Sequence, residues 1–186
     1  GESTVVTFNT HPRLILAENK RGISFLSTPD EKERLLAETG ADHLVILKFN
    51  RALAGMEACD FVEKVLVKKI GTKHLIIGYD HHFGKSREGN FNSVSECAEK
   101  FGFRVEQITQ IVSENGIISS TVIRETLLEG NPRVAAKMLG YDYSLAGTIV
   151  RGKRLGRDIG FPTANIKPAD SYKLIPGNGV YAVRVA

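Results

Sequence analysis

Residues 156–166 read GRDIGFPTANI, which puts a hydroxyl at Thr163 and a carboxamide at Asn165, two residues apart. In an extended strand such residues share a face, so Thr163 and Asn165 project together and Ala164 points the other way. A pair of oxygen donors of this kind suits a magnesium ion held mainly by the phosphates of a bound nucleotide. Gly156 and Gly160 would let the backbone approach those phosphates, and Arg157 adds positive charge. The plainer alternative is a tight Gly-Phe-Pro turn in which Thr163 and Asn165 bond their own backbone.

A second constellation lies upstream. In ISSTVIRETLLEG (residues 118–130), Ser119, Ser120 and Thr121 open a helix, where unpaired amides and the helix dipole favour an anion. Arg124 follows Ser120 by four residues, on the same face and one turn on. Together these groups could hold nucleotide phosphates. The competing reading makes Ser120 or Thr121 a helix cap and Arg124 a solvated cation.

Two loops carry further polar groups. FNTHP places His11 just past a strand, with Pro12 ending any pairing. The stretch GYDHHFGKSREG (residues 78–89) holds Asp80, His81, His82, Lys85 and Arg87 between glycines, a pattern that suits a phosphate-contacting loop, with a solvated basic loop as the plainer alternative. Adjacent histidines seldom point to one place, which argues against a metal there. The basic run Arg151, Lys153, Arg154 and Arg157 admits nucleic-acid contact. The scarcity of nearby aromatic residues for base stacking weakens that alternative.

Composition sets the frame for these sites. The 186 residues are 42% hydrophobic and 25% charged, as in an ordinary globular protein of one domain, or one and part of another. No apolar run is long enough to span a bilayer, and from the strand-like STVVTF near its start no signal peptide is expected. The two cysteines, Cys59 and Cys97, lack metal-type spacing and read as free thiols of a reducing cytoplasm. A net charge of +4 suits anionic ligands and identifies none.

The elements that must position the sites follow from periodicity and punctuation. Strands are expected at Ser3–Phe8, Asp42–Phe49, His74–Asp80 and Phe103–Val112. Between them fall helices: one opened by a Thr28/Glu31 capping box with Pro29 and stopped by Gly40, one over 60–70, and one near Ser93–Phe101. Two short helices follow, ending at Gly130 and Gly140, the second with Asn131 as cap and Pro132 in its first turn. This alternation predicts an α/β fold with a parallel sheet covered on both faces, and a ligand at the carboxyl ends of the strands. Beyond Gly140 the chain turns to short β-rich runs, so a domain boundary is expected near residue 141.

Taken in order, TFNTHP, GYDHHFG, ISSTVIRETLLEG, GRDIGFPTANI and GVYAVRV closely resemble the bacterial bifunctional riboflavin kinase/FMN adenylyltransferase (FAD synthetase) family over essentially the whole chain. The resemblance implies a Rossmann-like nucleotidyltransferase domain over residues 1–140 and the start of an antiparallel β-barrel kinase domain over 141–186. It implies ATP and Mg2+ as cofactors, and riboflavin, FMN and FAD as substrates and products. Ser120, Arg124, His11 and Asp80 would then serve AMP transfer to FMN. Gly156, Arg157, Gly160, Thr163 and Asn165 would serve phosphorylation of riboflavin, with Thr163 and Asn165 on the magnesium side. A small-molecule, cytoplasmic enzyme without nucleic-acid or membrane partners is expected, and the residues fix no oligomeric state. The alternatives are a nucleotidyltransferase of another small substrate, and a basic nucleic-acid-binding module.

Departures from the family pattern bear on single contacts. No HxGH signature occurs, and the kinase glutamate of the family would lie beyond Ala186, so no catalytic residue is assigned. The chain is expected to lack both ends of the usual enzyme and to be inactive as a 186-residue polypeptide. Asn9 and Thr10 replace the commoner Asp-Pro, Ile117 stands where many members carry a basic residue, and His81 and His82 replace Phe and Arg.

Overall fold

A computed structural model describes residues 1–85, 88–113, 116–152, 160 and 163–185. In chain order it begins with β1 (Thr4–Asn9), α1 (Pro12–Leu16), α2 (Pro29–Ala37), β2 (His43–Lys48) and α3 (Arg51–Ala54). Next come α4 (Ala58–Phe61), which continues into a π-helix (Val62–Ile70), then β3 (His74–Gly78), α5 (Phe91–Phe101) and β4 (Arg104–Ile108). The remainder comprises β5 (Val112–Ser113), β6 (Gly116–Ile117), α6 (Ser120–Leu128), α7 (Pro132–Leu139), β7 (Gly147–Val150) and β8 (Asn165–Pro168).

The chain divides into two compact units that do not follow sequence order. One comprises Gly1–Arg21 and Ala41–Asn115, the other Gly22–Gly40 and Gly116–Ala186. In the first unit β1 runs parallel to β2, from Thr4 opposite His43 to Asn9 opposite Lys48. Likewise β3 runs parallel to β4, from His74 opposite Arg104 to Gly78 opposite Ile108. The expected parallel pairing is present, among the described residues as two separate pairs rather than one continuous sheet. Leu47, Leu75 and Val105 pack against a core of Phe61, Val62, Val65, Leu66, Cys97, Ala98 and Phe103. Ile46, Ile76 and Ile108 stay exposed. At these positions β2, β3 and β4 carry one covered and one exposed face, as alternation of successive side chains gives, whereas β1 is half-buried from Thr4 to Phe8.

Local chemistry explains the helix ends. Glu31 N–H donates to Thr28 Oγ1 and Thr28 N–H to Glu31 Oε2, the capping box expected for α2. The start of α5 lies earlier than the expected Ser93: Asn90 caps it, taking the N–H groups of Asn92 and Ser93. Asn131 occupies the cap position of α7, but its side chain makes no capping bond. The cysteines are not free thiols. Cys59 and Cys97 form a disulfide with a Cα–Cα distance of 5.8 Å, because α4 and α5 bring them together in the core.

The second unit is built on α6 and α7. Ile123, Leu127, Ala135 and Leu174 form its buried cluster, with Leu26, Met138, Leu139 and Tyr143 packed around them. β7 pairs antiparallel with β8, from Gly147 opposite Pro168 to Val150 opposite Asn165. Residues 179–185, expected as a β run, form no strand among the described residues.

Candidate functional site

The helix start proposed for an anion is built as follows. Ser119, not Ser120, is the cap of α6: it is extended, and its hydroxyl accepts from Val122 N–H at 3.3 Å. Ser120 is thereby left as the first helical residue, exposed, with its hydroxyl in the turn where backbone amides lack intrahelical acceptors. Arg124 sits one turn on and is half-buried. The buried Ile123 and Leu127 fix which face of α6 turns inward, so Ser120 and Arg124 share an adjoining face.

In the other unit His11 follows β1 as the cap of α1, its Nδ1 accepting from Arg13 N–H at 3.2 Å. The neutral ring therefore carries its proton on Nε2. The preceding Thr10 has φ 53°, a left-handed conformation that is costly for a β-branched residue. Its N–H donates to Asn9 Oδ1 at 2.7 Å. Strain of this kind at the carboxyl end of β1 was not readable from the residue types alone.

Asp80 is exposed in the turn after β3, where His81 N–H donates to Gly78 O at 3.1 Å. The His81 ring lies 5.6 Å from that of Phe83, which meets Phe61 edge-on at 5.5 Å and so ties the loop to the core. Partial desolvation of the His81 ring lowers its pKa although the residue is largely exposed, with the Asp80 carboxylate acting in the opposite direction. Gln107 and Gln110 of the β4 region brace Tyr79, donating to its carbonyl at 3.3 Å and its hydroxyl at 3.0 Å. His11 and Asp80 thus share a unit at the carboxyl ends of β1 and β3.

In the tail, Gly160 has φ 81°, a conformation glycine adopts without steric cost. Thr163 and Asn165 are exposed, and Asn165 opens β8 opposite Val150. Thr163 precedes the strand by two residues and lies outside its hydrogen-bonded ladder. Gly156 and Arg157 lie outside the described residues. One residue was missed by the sequence reading: Gly152, where an added Cβ would overlap the Asn165 carboxamide. Gly152 and Asn165 are far apart in sequence, and only the antiparallel β7–β8 pairing brings them together.

These features define an α/β protein with parallel strand pairs, polar groups at strand ends, and a serine-capped helix start suited to an anion. The chain belongs to the FAD synthetase family, which matches residues 1–122. The riboflavin kinase family matches residues 139–186. Similar proteins include the bifunctional riboflavin kinase/FMN adenylyltransferase of Escherichia coli strain K12, 37% identical over 97% of this chain and 57% of its own length. The enzyme of that description from Listeria monocytogenes is 33% identical over 98% of this chain and 57% of its own. The chain thus spans a little over half the length of these relatives. A solved structure titled as a macrolide-efflux protein from Streptococcus pneumoniae superposes with a TM-score of 0.84. It shares 32% identity and covers 96% of this chain and 57% of its own. Among the described residues no helix is long and apolar enough to cross a membrane.

Proposed function

We propose that the protein carrying this chain makes FMN from riboflavin and ATP, then transfers AMP from a second ATP to FMN, giving FAD and pyrophosphate. The observation that carries this reading is the succession of two family matches in one chain, FAD synthetase then riboflavin kinase. Residues 1–140 are assigned to a Rossmann-like adenylyltransferase part and 141–186 to the start of a kinase barrel. The parallel strand pairs and the antiparallel β7–β8 pair support that assignment.

In adenylylation, Ser120 and the first amides of α6 bind ATP phosphates, and Arg124 neutralises charge that builds as pyrophosphate leaves. His11, as an Nε2–H donor, and Asp80 are assigned to the same reaction by the family resemblance alone. In the kinase part, the Thr163 hydroxyl and Asn165 carboxamide are hard oxygen donors, and Gly152 leaves room for the carboxamide. That donor set fits magnesium, which when bound with ATP would offset phosphate charge. Thr163 and Asn165 orient the polyphosphate, while Gly160 and the assigned Gly156 and Arg157 shape the loop around it.

The test is chromatographic separation of riboflavin, FMN and FAD after incubating the full-length protein with Mg-ATP and either riboflavin or FMN. Both conversions are expected. Absence of both in a folded protein, with salt-sensitive binding to RNA or DNA instead, would favour the nucleic-acid alternative.

A further inference from the structure

We infer that Lys173 and Leu174, within the stretch matched by the riboflavin kinase family, are positioning residues for the phosphate-facing helix α6 of the adenylylation site. The inference rests on the proposed role of Ser120 and Arg124 in that helix. It adds that residues of the kinase-matched stretch hold this helix in place.

Leu174 is 3% exposed and shares one cluster with Ile123 and Leu127 of α6 and Ala135 of α7. Gly177 N–H donates at 2.9 Å to Leu127 O, which also accepts from Gly130 N–H at 3.0 Å, so the same segment is bonded to the far end of α6. Ser120 and Arg124 each lie three residues before one of the two buried anchors, Ile123 and Leu127. The angle at which the ligand groups face outward is therefore fixed by what the anchors pack against.

The segment behind the anchors is itself held firmly. Leu174 N–H donates to Phe25 O at 2.9 Å, and Phe25 N–H to Tyr172 O at 2.7 Å. Lys173 Nζ donates to Glu31 Oε2 at 2.5 Å and to Leu26 O at 2.7 Å, and stands 4.2 Å above the Tyr143 ring. Tyr143 in turn donates its hydroxyl to Leu174 O at 2.7 Å. The Lys173 side chain is 3% exposed and that of Glu31 is 11% exposed, so the pair is largely shielded from water. Residues 172–174 therefore form a fixed support against which α6 cannot roll. A displacement of about 1 Å in groups that position phosphates can cost roughly 100-fold in rate.

The experiment compares the full-length protein with Leu174→Ala, Leu174→Met, Lys173→Met and the double variant Lys173→Met/Glu31→Gln. AMP transfer to FMN and phosphoryl transfer to riboflavin are measured separately, and hydrogen exchange is read at the α6 amides. Leu174→Ala is expected to lower kcat/KM for ATP in AMP transfer about tenfold or more, to speed α6 exchange, and to leave riboflavin phosphorylation within about twofold. Leu174→Met keeps the volume and is expected to restore both readouts. Lys173→Met should show the same selective loss, and adding Glu31→Gln should recover most of it by removing the stranded carboxylate. Equal loss of both activities would reduce the pair to general stability and overturn the inference. Unchanged α6 exchange with unchanged AMP transfer would overturn it too. A Ser120→Ala/Arg124→Ala variant separates the two readings. If it leaves AMP transfer intact, the phosphate-site reading itself fails; if it abolishes transfer while Leu174→Ala does not, only the positioning inference fails.

Discussion

Glu88 Oε1 accepts from the backbone N–H of Ala58 at 3.3 Å, so the loop bearing Asp80 and His81 supplies a cap that α4 lacks from its own Glu57. The loop closes on itself nearby, with Phe83 and Gly89 exchanging two backbone hydrogen bonds. A Cβ at Gly89 would come within 2.7 Å of Phe83 O and 3.0 Å of Ala58 Cβ.

Gly89→Ala is therefore expected to lift the loop from α4 and to cost about 1–3 kcal/mol, as overpacking commonly does. Urea unfolding gives the stability change, and amide exchange at residues 80–85 reports the loop. An unchanged midpoint and unchanged exchange would show that the loop is not seated on Ala58.

The disulfide offers a second test. Cys59 and Cys97 are 38 residues apart in sequence, and constraining a loop of that length removes chain entropy worth about 4 kcal/mol from the unfolded state. Thiol titration in denaturant should find no free thiol until a reductant is added. Reduction should then lower the urea midpoint of the first unit. Two titratable thiols in the untreated protein would refute the pairing.

Alkaline pH probes the second unit. Burial, reinforced by Glu31 and Tyr141, raises the Tyr143 pKa well above its ordinary 10.0. Above pH 10.0 the unfolded chain loses this proton while the folded chain keeps it, so the folded state binds more protons and its stability falls as pH rises. Below pH 10.0 the Tyr143 contribution is fully present. Tyr143→Phe should flatten this alkaline loss and remove one late-titrating phenol from the ultraviolet difference spectrum. The same slope in both proteins would assign the loss to other groups.

The two proposed sites are expected to fail independently. Ser120→Ala with Arg124→Ala should slow conversion of FMN to FAD by roughly two decades or more, since charge-assisted contacts that tighten in the transition state are lost. Thr163→Ala with Asn165→Ala should slow conversion of riboflavin to FMN instead. Chromatography of the three flavins, starting from riboflavin or from FMN, distinguishes the two. Loss of both activities from either pair in a folded protein would end the two-site assignment.

Much of the local structure was legible in the residues, because it depends on neighbours in sequence. The Thr28/Glu31 capping box, the Pro29 and Pro132 helix starts and the strands His43–Lys48 and His74–Gly78 follow from propensity, period and capping chemistry. The family resemblance was legible as well, because motifs such as GFPTAN and ISSTVIR are short and contiguous. Nearest-neighbour chemistry offered Ser120 or Thr121 as the helix cap, and the cap is Ser119. Backbone geometry settled it by making Ser119 extended. What the sequence left open were relationships between distant residues. Cys59 and Cys97 read as separate thiols until α4 and α5 packed together. Glu31 was visible as a capping residue, while its partner Lys173 lies 142 residues away. The grouping of Gly22–Gly40 with the tail likewise arises from packing between segments far apart in the chain. Such pairings depend on burial and close packing in three dimensions, which no local pattern encodes.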